Sequence, residues 1–302
     1  MSRWTPADLP DQSGRTALVT GANSGLGLHT SLGLARQGAR VLMAVRTPAK
    51  GEQALARVRR EVPGASVELL PLDLASLASV RAATQEVQSR TDALDLLVAN
   101  AGVMAVPRTL TADGFESQLG TNHLGHFALT GLLLPQLLAA PAPRVVVVSS
   151  GAHRAGRIAF DDLSGERSYR RWGAYGQSKL ANLLFARELQ RRAGDRLLVA
   201  AAHPGYAATN LQSGQGNVAL EALLKVGNLL VAQSAAQGAW PSLYAATMPD
   251  VQPGDYWGPA LVEIRGAPKR VGRSAAAQDD TAAGLLWDAS AELTGVSYDA
   301  LV

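Results

Sequence analysis

The sequence predicts an α/β fold, a doubly wound parallel β-sheet flanked by helices in one domain, on three observations. Short apolar runs alternate with amphipathic segments through the first two-thirds of the 302 residues. That is the spacing of strand–helix–strand crossovers. One run, Val145–Val148, is four consecutive valines, which suits a strand buried on both faces. The first run leads straight into a glycine-rich turn and then a helical pattern. No linker, internal repeat or low-complexity tract divides the chain, so residues 1–302 are read as a single domain.

In order, strands are expected at Thr16–Thr20, Arg40–Val45, Ser66–Pro71, Leu94–Ala99, Arg144–Ser149 and Leu197–Ala202. Each is a short, mostly apolar run with turn residues beyond it. Helical patterns lie between them, over 25–37, 48–61, 76–90, 112–138 and 173–193. After Pro204 the pattern weakens. Only a helix near Thr281–Leu293 stands out there, within a helical tail near 275–302.

Composition narrows the function. Hydrophobic residues are 47% and mean hydropathy is +0.04, enough for a sizeable core. Charged residues are only 18%, which argues against disorder. The net charge of +3 is spread without a dense basic tract, so nucleic acid is not an expected partner. With no cysteine there can be no disulfide, thiolate metal site or cysteine nucleophile. A reducing compartment fits that. The segment MSRWTPADLPDQSG has no apolar core of a secretory signal. The apolar stretches Leu124–Ala140 and Ala219–Val231 are interrupted short of the ~20 residues a membrane helix needs. The expectation is a soluble, cytoplasmic protein with no membrane partner.

The turn after the first strand reads Thr20-Gly21-Ala22-Asn23-Ser24-Gly25-Leu26-Gly27. Glycines between a strand and a helix let backbone N–H groups approach a pyrophosphate at the helix N-terminus. Gly21 would form the tight turn, Gly25 the close approach and Gly27 the helix–strand packing. Three glycines alone are a weak signal, but their place in the first strand–helix turn points to a dinucleotide.

Thr-Gly-x-x-x-Gly-x-Gly at this place resembles the short-chain dehydrogenase/reductase family, whose fold is of the Rossmann type. Other segments agree with it in the same order. Asp73, with Leu74, follows the third strand, where the family holds the adenine. Ala99-Asn100-Ala101-Gly102 is similar to the family's N-N-A-G, with Ala99 in place of the first Asn. Asn122, Ser150, Tyr175 and Lys179 match the catalytic tetrad, and Pro204-Gly205 with Thr209 match a P-G-x-x-x-T segment. The resemblance spans residues 14–210, and it implies that the cofactor touches these loops as well as Tyr175 and Lys179.

The end of the second strand bears on which cofactor. Nicotinamide enzymes that take NAD usually carry an acidic residue there for the ribose hydroxyls. This chain has Val45 followed by Arg46, which can pair with a 2′-phosphate, so NADP(H) is expected over NAD(H).

Tyr175 and Lys179 are four apart in a helical pattern and share a face. A tyrosine with a reference pKa near ~10 needs about 4 kcal/mol of help to act near neutrality. A nearby ammonium has the right sign. Ser150 ends the valine strand at the carboxyl edge, where α/β sheets hold ligands. Ser149 competes, and Ser150 is chosen because the second serine matches the family's. By resemblance, Asn122, within LGTNHLGHF, anchors a water linking Lys179 to solvent. His123 and His126 beside it read as packing or surface residues, and no metal-site spacing occurs. The mechanism implied is hydride transfer between nicotinamide and a small-molecule carbonyl or alcohol. Tyr175 would be the general acid/base and Ser150 would polarise the oxygen.

The chain departs from most members in one place. Ser150 and Tyr175 are twenty-five residues apart, against about thirteen in most of the family, and GAHRAGRIAFDDLSGERSYRRWGA fills the gap. This insertion resembles the branch containing the retinol dehydrogenases, protochlorophyllide reductase and the WW-domain-containing oxidoreductase. Its Arg154, Arg157, Arg167, Arg170 and Arg171 against Asp161, Asp162 and Glu166 read as a surface excursion with locally paired charges over 153–172, ahead of an anion-binding substrate element. A substrate lid is expected near 209–235, where Ala219, Leu220, Leu223, Leu224, Val226 and Leu230 make an apolar stripe. As a lid it would favour an apolar substrate; as a core stripe it would not bear on one. A noncatalytic NADP(H)-binding sensor or interaction protein on the same fold is the alternative. The Ala/Leu content of the helices at 112–138 and 173–193 permits a homo-oligomer without requiring one.

Overall fold

In the computed structural model of the chain, residues 4–206 and 233–301 are described. Thr209 and the apolar stripe between Ala219 and Leu230 lie outside them. Among the described residues eight strands form one sheet in the order β3-β2-β1-β4-β5-β6-β7-β8. They are β1 (Thr16–Thr20), β2 (Arg40–Val45), β3 (Val67–Pro71), β4 (Leu96–Ala99), β5 (Arg144–Val148), β6 (Leu198–Ala202), β7 (Tyr256–Leu261) and β8 (Arg265–Arg270). All neighbours are parallel except β7 and β8, an antiparallel pair. The order reverses between β1 and β4, which puts the switch point where α/β sheets take ligands.

Both faces are covered, as the valine run predicts. Alternate residues of the central strands enter two separate cores. Leu18, Leu42, Leu97, Val145 and Val147 face one, and Val19, Val41, Val98, Val146 and Val148 the other. The first core is completed by α3 (Leu77–Arg90), α5 (Gly125–Leu132), α7 (Arg171–Ala193) and α10 (Asp280–Thr294). The second takes α1 (Gly25–Arg36), α2 (Pro48–Glu61) and α9 (Trp240–Thr247), the last preceded by the short α8 (Ala235–Gly238). The C-terminal tail closes over α5, where the Tyr298 hydroxyl donates to the Phe127 carbonyl at 2.7 Å.

Two expectations need correction. The helix expected over 112–138 is broken into α4 (Ser117–Leu119), a π-helical turn at Gly120–Leu124, α5 and α6 (Leu134–Ala139). Gly114 turns the chain at φ +84° before α4, and Pro135 starts a new helix at its first turn. The second correction is the β7–β8 hairpin, which carries no alternating pattern in the sequence. Pro259 and Pro268 are paired within it, and proline in a strand argues against a strand on sequence alone. Here β8 is the edge, and its Pro268, Lys269 and Arg270 guard it from further pairing.

Candidate active site

The glycine turn takes the shape its spacing requires. Gly21 and Gly25 adopt φ +67° and +53°, a left-handed backbone that costs glycine nothing. At Gly27 a Cβ would stand 2.4 Å from the Gly21 carbonyl oxygen and 2.7 Å from Asn100 Nδ2, so a side chain there would push α1 off the strand ends. Ser24 occupies the N-cap of α1 without a side-chain cap bond, and Asn23, Ser24, Gly25 and Leu26 all keep some exposure. Asn100 Oδ1 is buried with no partner among the described residues. A tight turn, an uncapped helix start and an orphan acceptor fit a dinucleotide.

The strand ends are latched together. Thr20 Oγ1 accepts the N–H groups of Asn100 and Ala101, each at 2.9 Å, and Asn100 Nδ2 donates to the Thr20 carbonyl at 2.8 Å. After β2, Val45 is buried and Arg46 is exposed, with no ion pair among the described residues. After β3, Asp73 Oδ1 accepts the Ala75 N–H at 3.0 Å and its own N–H donates to Ser79 Oγ at 2.9 Å. The buried Leu74 presses its carbonyl against Gly125, where a Cβ would come within 2.3 Å.

Ser150, Tyr175 and Lys179 converge at the carboxyl edge of β5. Ser150 caps the 3₁₀ turn Gly151–Ala155, its hydroxyl accepting the Ala152 N–H at 3.2 Å. Ser149 is occupied elsewhere, donating to the Lys179 carbonyl at 2.7 Å. That distinguishes two serines the sequence could separate only by resemblance. Lys179 is buried; Nζ donates to the Val148 carbonyl at 3.2 Å and lies 5.8 Å from the centre of the Tyr175 ring. Burial pushes the Tyr175 phenol up, with the Ser150 hydrogen bond opposing, and pulls the Lys179 ammonium down to about 8. Desolvation thus outweighs the expected lowering of the tyrosine in the protein by itself.

Asn122 sits in the π-helical turn. Oδ1 accepts from the Val103 N–H at 2.8 Å, while Nδ2 donates to the Val103 carbonyl and to Ser178 Oγ, both at 2.9 Å. Gly102 lies between Asn122 and Lys179, since a Cβ on it would stand 2.9 Å from Asn122 Oδ1 and 3.4 Å from Lys179 Nζ.

Both histidines beside Asn122 are fully buried, and one does more than pack. His126 Nδ1 is 3.0 Å from the Asn122 carbonyl, which can only accept, so Nδ1 carries the proton. Burial holds the ring neutral, with its pKa drawn down to about 4. Nε2 therefore accepts the Thr20 hydroxyl at 2.9 Å. His126 joins the glycine turn to Asn122, and its only sequence signal is a histidine four residues after Asn122 on an apolar helix. His123 Nε2 meets Ser290 Oγ at 2.8 Å.

Gly205 adopts φ +66° and donates its N–H to His203 Nδ1 at 3.2 Å, beside Pro204. In the insertion Arg167 pairs with Asp161, whereas Arg154 reaches out of it to Glu263. Tyr169 anchors the segment by donating to the Val106 carbonyl at 2.9 Å. Trp172, largely exposed, stands edge-on to Tyr175 with ring centres 6.0 Å apart. Among the described residues no group of three metal-ligating side chains occurs, and no helix is long and apolar enough to cross a membrane.

The sheet is of the doubly wound class, with the glycine turn at its switch point and Tyr175 and Lys179 near the carboxyl edge of β5. The profile described as short chain dehydrogenase matches residues 15–217. Human retinol dehydrogenase 14 is 43% identical over 303 residues, covering 94% of this chain and 87% of that protein. The crystal structure of an uncharacterised protein from Mycobacterium Paratuberculosis superposes with a TM-score of 0.82 at 46% identity, over 98% of this chain and 99% of that one. A structure from Beutenbergia cavernae, described as that of a "putative NAD(P) dependent gluconate 5-dehydrogenase" with NADP bound at low occupancy, gives a TM-score of 0.63 at 25% identity, over 78% and 91%. The chain belongs to the short-chain dehydrogenase family, in its retinol dehydrogenase branch, and is an oxidoreductase.

Proposed function

We propose that the chain reduces a carbonyl, or oxidises the corresponding alcohol, with NADP(H) and an apolar substrate. The observation that carries this reading is the buried Tyr175 with Lys179 one turn along α7, its Nζ 5.8 Å from the ring, and Ser150 at the carboxyl edge of β5. The turn Gly21–Gly27 and the start of α1 would hold the pyrophosphate, Arg46 the 2′-phosphate, and Asp73 and Leu74 the adenine. Asn100, Ala101 and Gly102, together with Pro204, Gly205 and Thr209, would flank the nicotinamide. When bound, the nicotinamide supplies or accepts the hydride.

Tyr175 stays protonated at neutral pH because burial raises its phenol. In the reducing direction it gives that proton to the substrate oxygen, while the Ser150 hydroxyl donates to the same oxygen and stabilises its developing charge. Lys179 holds a positive charge below about pH 8 one turn from the phenol. That charge favours the phenolate left behind. The retinol-dehydrogenase relative supports an apolar substrate, and the exposed Trp172 beside Tyr175 offers such a molecule an aromatic wall.

The test is NADPH consumption by purified protein against a panel of aldehydes, ketones, quinones and bulky apolar carbonyls. Tyr175→Phe is the control. Turnover that disappears in the variant supports the reading. Tight NADPH binding without turnover on any carbonyl would favour a cofactor sensor instead.

A further inference from the structure

The β7–β8 hairpin overhangs the candidate site. Ala202, the last residue of β6, pairs with Trp257, so Gly258–Leu261 run on past the carboxyl edge by roughly 13 Å at ~3.3 Å per residue. At its tip Val262 and Glu263 both adopt left-handed backbone, φ +45° and +59°. Turns of this kind ordinarily carry Asn-Gly or Asp-Gly, and a β-branched residue there is strained. Strain of this sort persists only where surrounding contacts enforce it.

The contacts run through Glu263. Both carboxylate oxygens accept from Arg154 Nη2, at 2.9 and 3.0 Å, and the same nitrogen donates to the Gly272 carbonyl at 3.0 Å. Glu263 Oε2 also lies 3.5 Å from Nε2 of His203, a side chain only 2% exposed. His203 Nδ1 accepts from the Gly205 N–H, so in the neutral ring Nε2 bears the hydrogen, near this carboxylate but outside hydrogen-bond geometry. Nε2 has no hydrogen-bond partner among the described residues. Gly258 makes room for the ring, since a Cβ there would fall 2.0 Å from Nε2.

Further hydrogen bonds extend the grip. Tyr206 N–H donates to the Ile264 carbonyl at 3.0 Å. Gln233 accepts from the Gly266 N–H at 3.2 Å and donates to the Pro204 carbonyl. Arg154 belongs to the turn that Ser150 caps. The hairpin therefore holds two segments at once, the turn after β5 and the residues after β6.

We infer that Glu263 is a positioning residue, whose carboxylate clamps Arg154 to the hairpin tip beside the buried His203 and so fixes Ser150 relative to Pro204 and Gly205. This rests on the proposed function, in which those two segments flank the reacting centre. Misplacing reacting groups by about 1 Å costs up to ~10²-fold in rate.

The experiment compares steady-state kinetics and melting temperature for Glu263→Ala, Glu263→Gly, Arg154→Ala, the Arg154→Ala/Glu263→Ala double variant and Val262→Gly. Loss of the carboxylate should lower kcat about 10- to 100-fold while the KM for NADPH moves little. Glu263→Gly relieves the backbone strain, so it should melt no lower than wild type and still lose kcat. Val262→Gly keeps the clamp and should keep kcat. The double variant should be no slower than Glu263→Ala, because both changes break one contact. A kcat for Glu263→Gly within twofold of wild type would overturn the inference, as would additive losses in the double variant. Each result is a ratio to wild-type turnover, so retained activity in Tyr175→Phe would sink the acid assignment and leave this comparison standing. Should wild type turn over no carbonyl, the emission of bound NADPH replaces kcat, and unchanged emission in Glu263→Gly overturns the clamp.

Discussion

Thr20 Oγ1 and His126 Nε2 meet at 2.9 Å inside the protein, and through them the glycine turn is joined to the π-helical turn that carries Asn122. The hydroxyl receives two N–H groups from the end of β4 and gives its own hydrogen to the imidazole. His126→Leu would leave the buried Asn122 carbonyl without that partner and the Thr20 hydroxyl with only the Val98 carbonyl at 3.4 Å. Each such loss costs about 1–3 kcal/mol, so urea denaturation should show a deficit of roughly 2 kcal/mol or more. A variant as stable as wild type would mean the bridge contributes nothing.

The same burial makes stability depend on pH. Burial holds His123, His126 and His203 neutral in the native state, with pKa values drawn down to about 3, 4 and 4. In the unfolded chain they titrate near ~6.5. Between those values the unfolded state binds more protons, so stability falls as pH drops from about 6.5 toward 4. Each histidine contributes up to about 1.4 kcal/mol per pH unit. Denaturation midpoints at pH 7.5 and 5.0 measure this, and equal midpoints would contradict neutral burial.

Much of the fold, and the local patterns of the candidate site, are legible in the sequence. The six parallel strands through Ala202, the glycine turn and the pairing of Tyr175 with Lys179 follow from local pattern, because period and spacing are properties of neighbouring residues. What was not legible is long-range. The bond between Thr20 and His126 spans 106 positions, and the one between Arg154 and Glu263 spans 109. No periodicity marks either. The hairpin was hidden because its strands carry Pro259, Pro268 and Gly258, whose presence makes sense only at a sheet edge and against the His203 ring.

Arg46 should decide between the two nicotinamide cofactors. It is exposed at the end of β2, and Val45 beside it offers no acceptor for a ribose hydroxyl. A charge-assisted hydrogen bond to a 2′-phosphate is worth ~1.5–3 kcal/mol, which is roughly 10- to 150-fold in affinity. Arg46→Ala should weaken NADPH by that factor and leave NADH unchanged in fluorescence titrations. Equal affinity of wild type for both cofactors would remove the preference.

Direction of turnover should respond to pH with opposite signs. Burial raises Tyr175, so the phenol is protonated at neutrality and ready to donate. Carbonyl reduction should hold through neutral pH and fall as the phenol ionises, whereas alcohol oxidation should rise over the same range. Ser150→Ala should lower kcat in both directions by about 10²–10³, as loss of one donor to a developing oxyanion does. Parallel pH profiles for the two directions would rule out Tyr175 as the shared acid and base.

Gly27→Ala separates cofactor binding from folding. A methyl group there meets the Gly21 carbonyl oxygen at 2.4 Å and the Asn100 amide at 2.7 Å. The first is backbone, and Asn100 is tied to the Thr20 carbonyl, so neither can yield without moving the glycine turn. The relief left is to tilt the start of α1 away from the strand ends. That tilt carries the helix N-terminus out of reach of a pyrophosphate, whose attraction to the dipole fades within the first turn. NADPH affinity should therefore drop at least ~100-fold while the melting temperature falls by only a few degrees. A variant that binds NADPH like wild type would show that the glycine turn is not where the pyrophosphate sits.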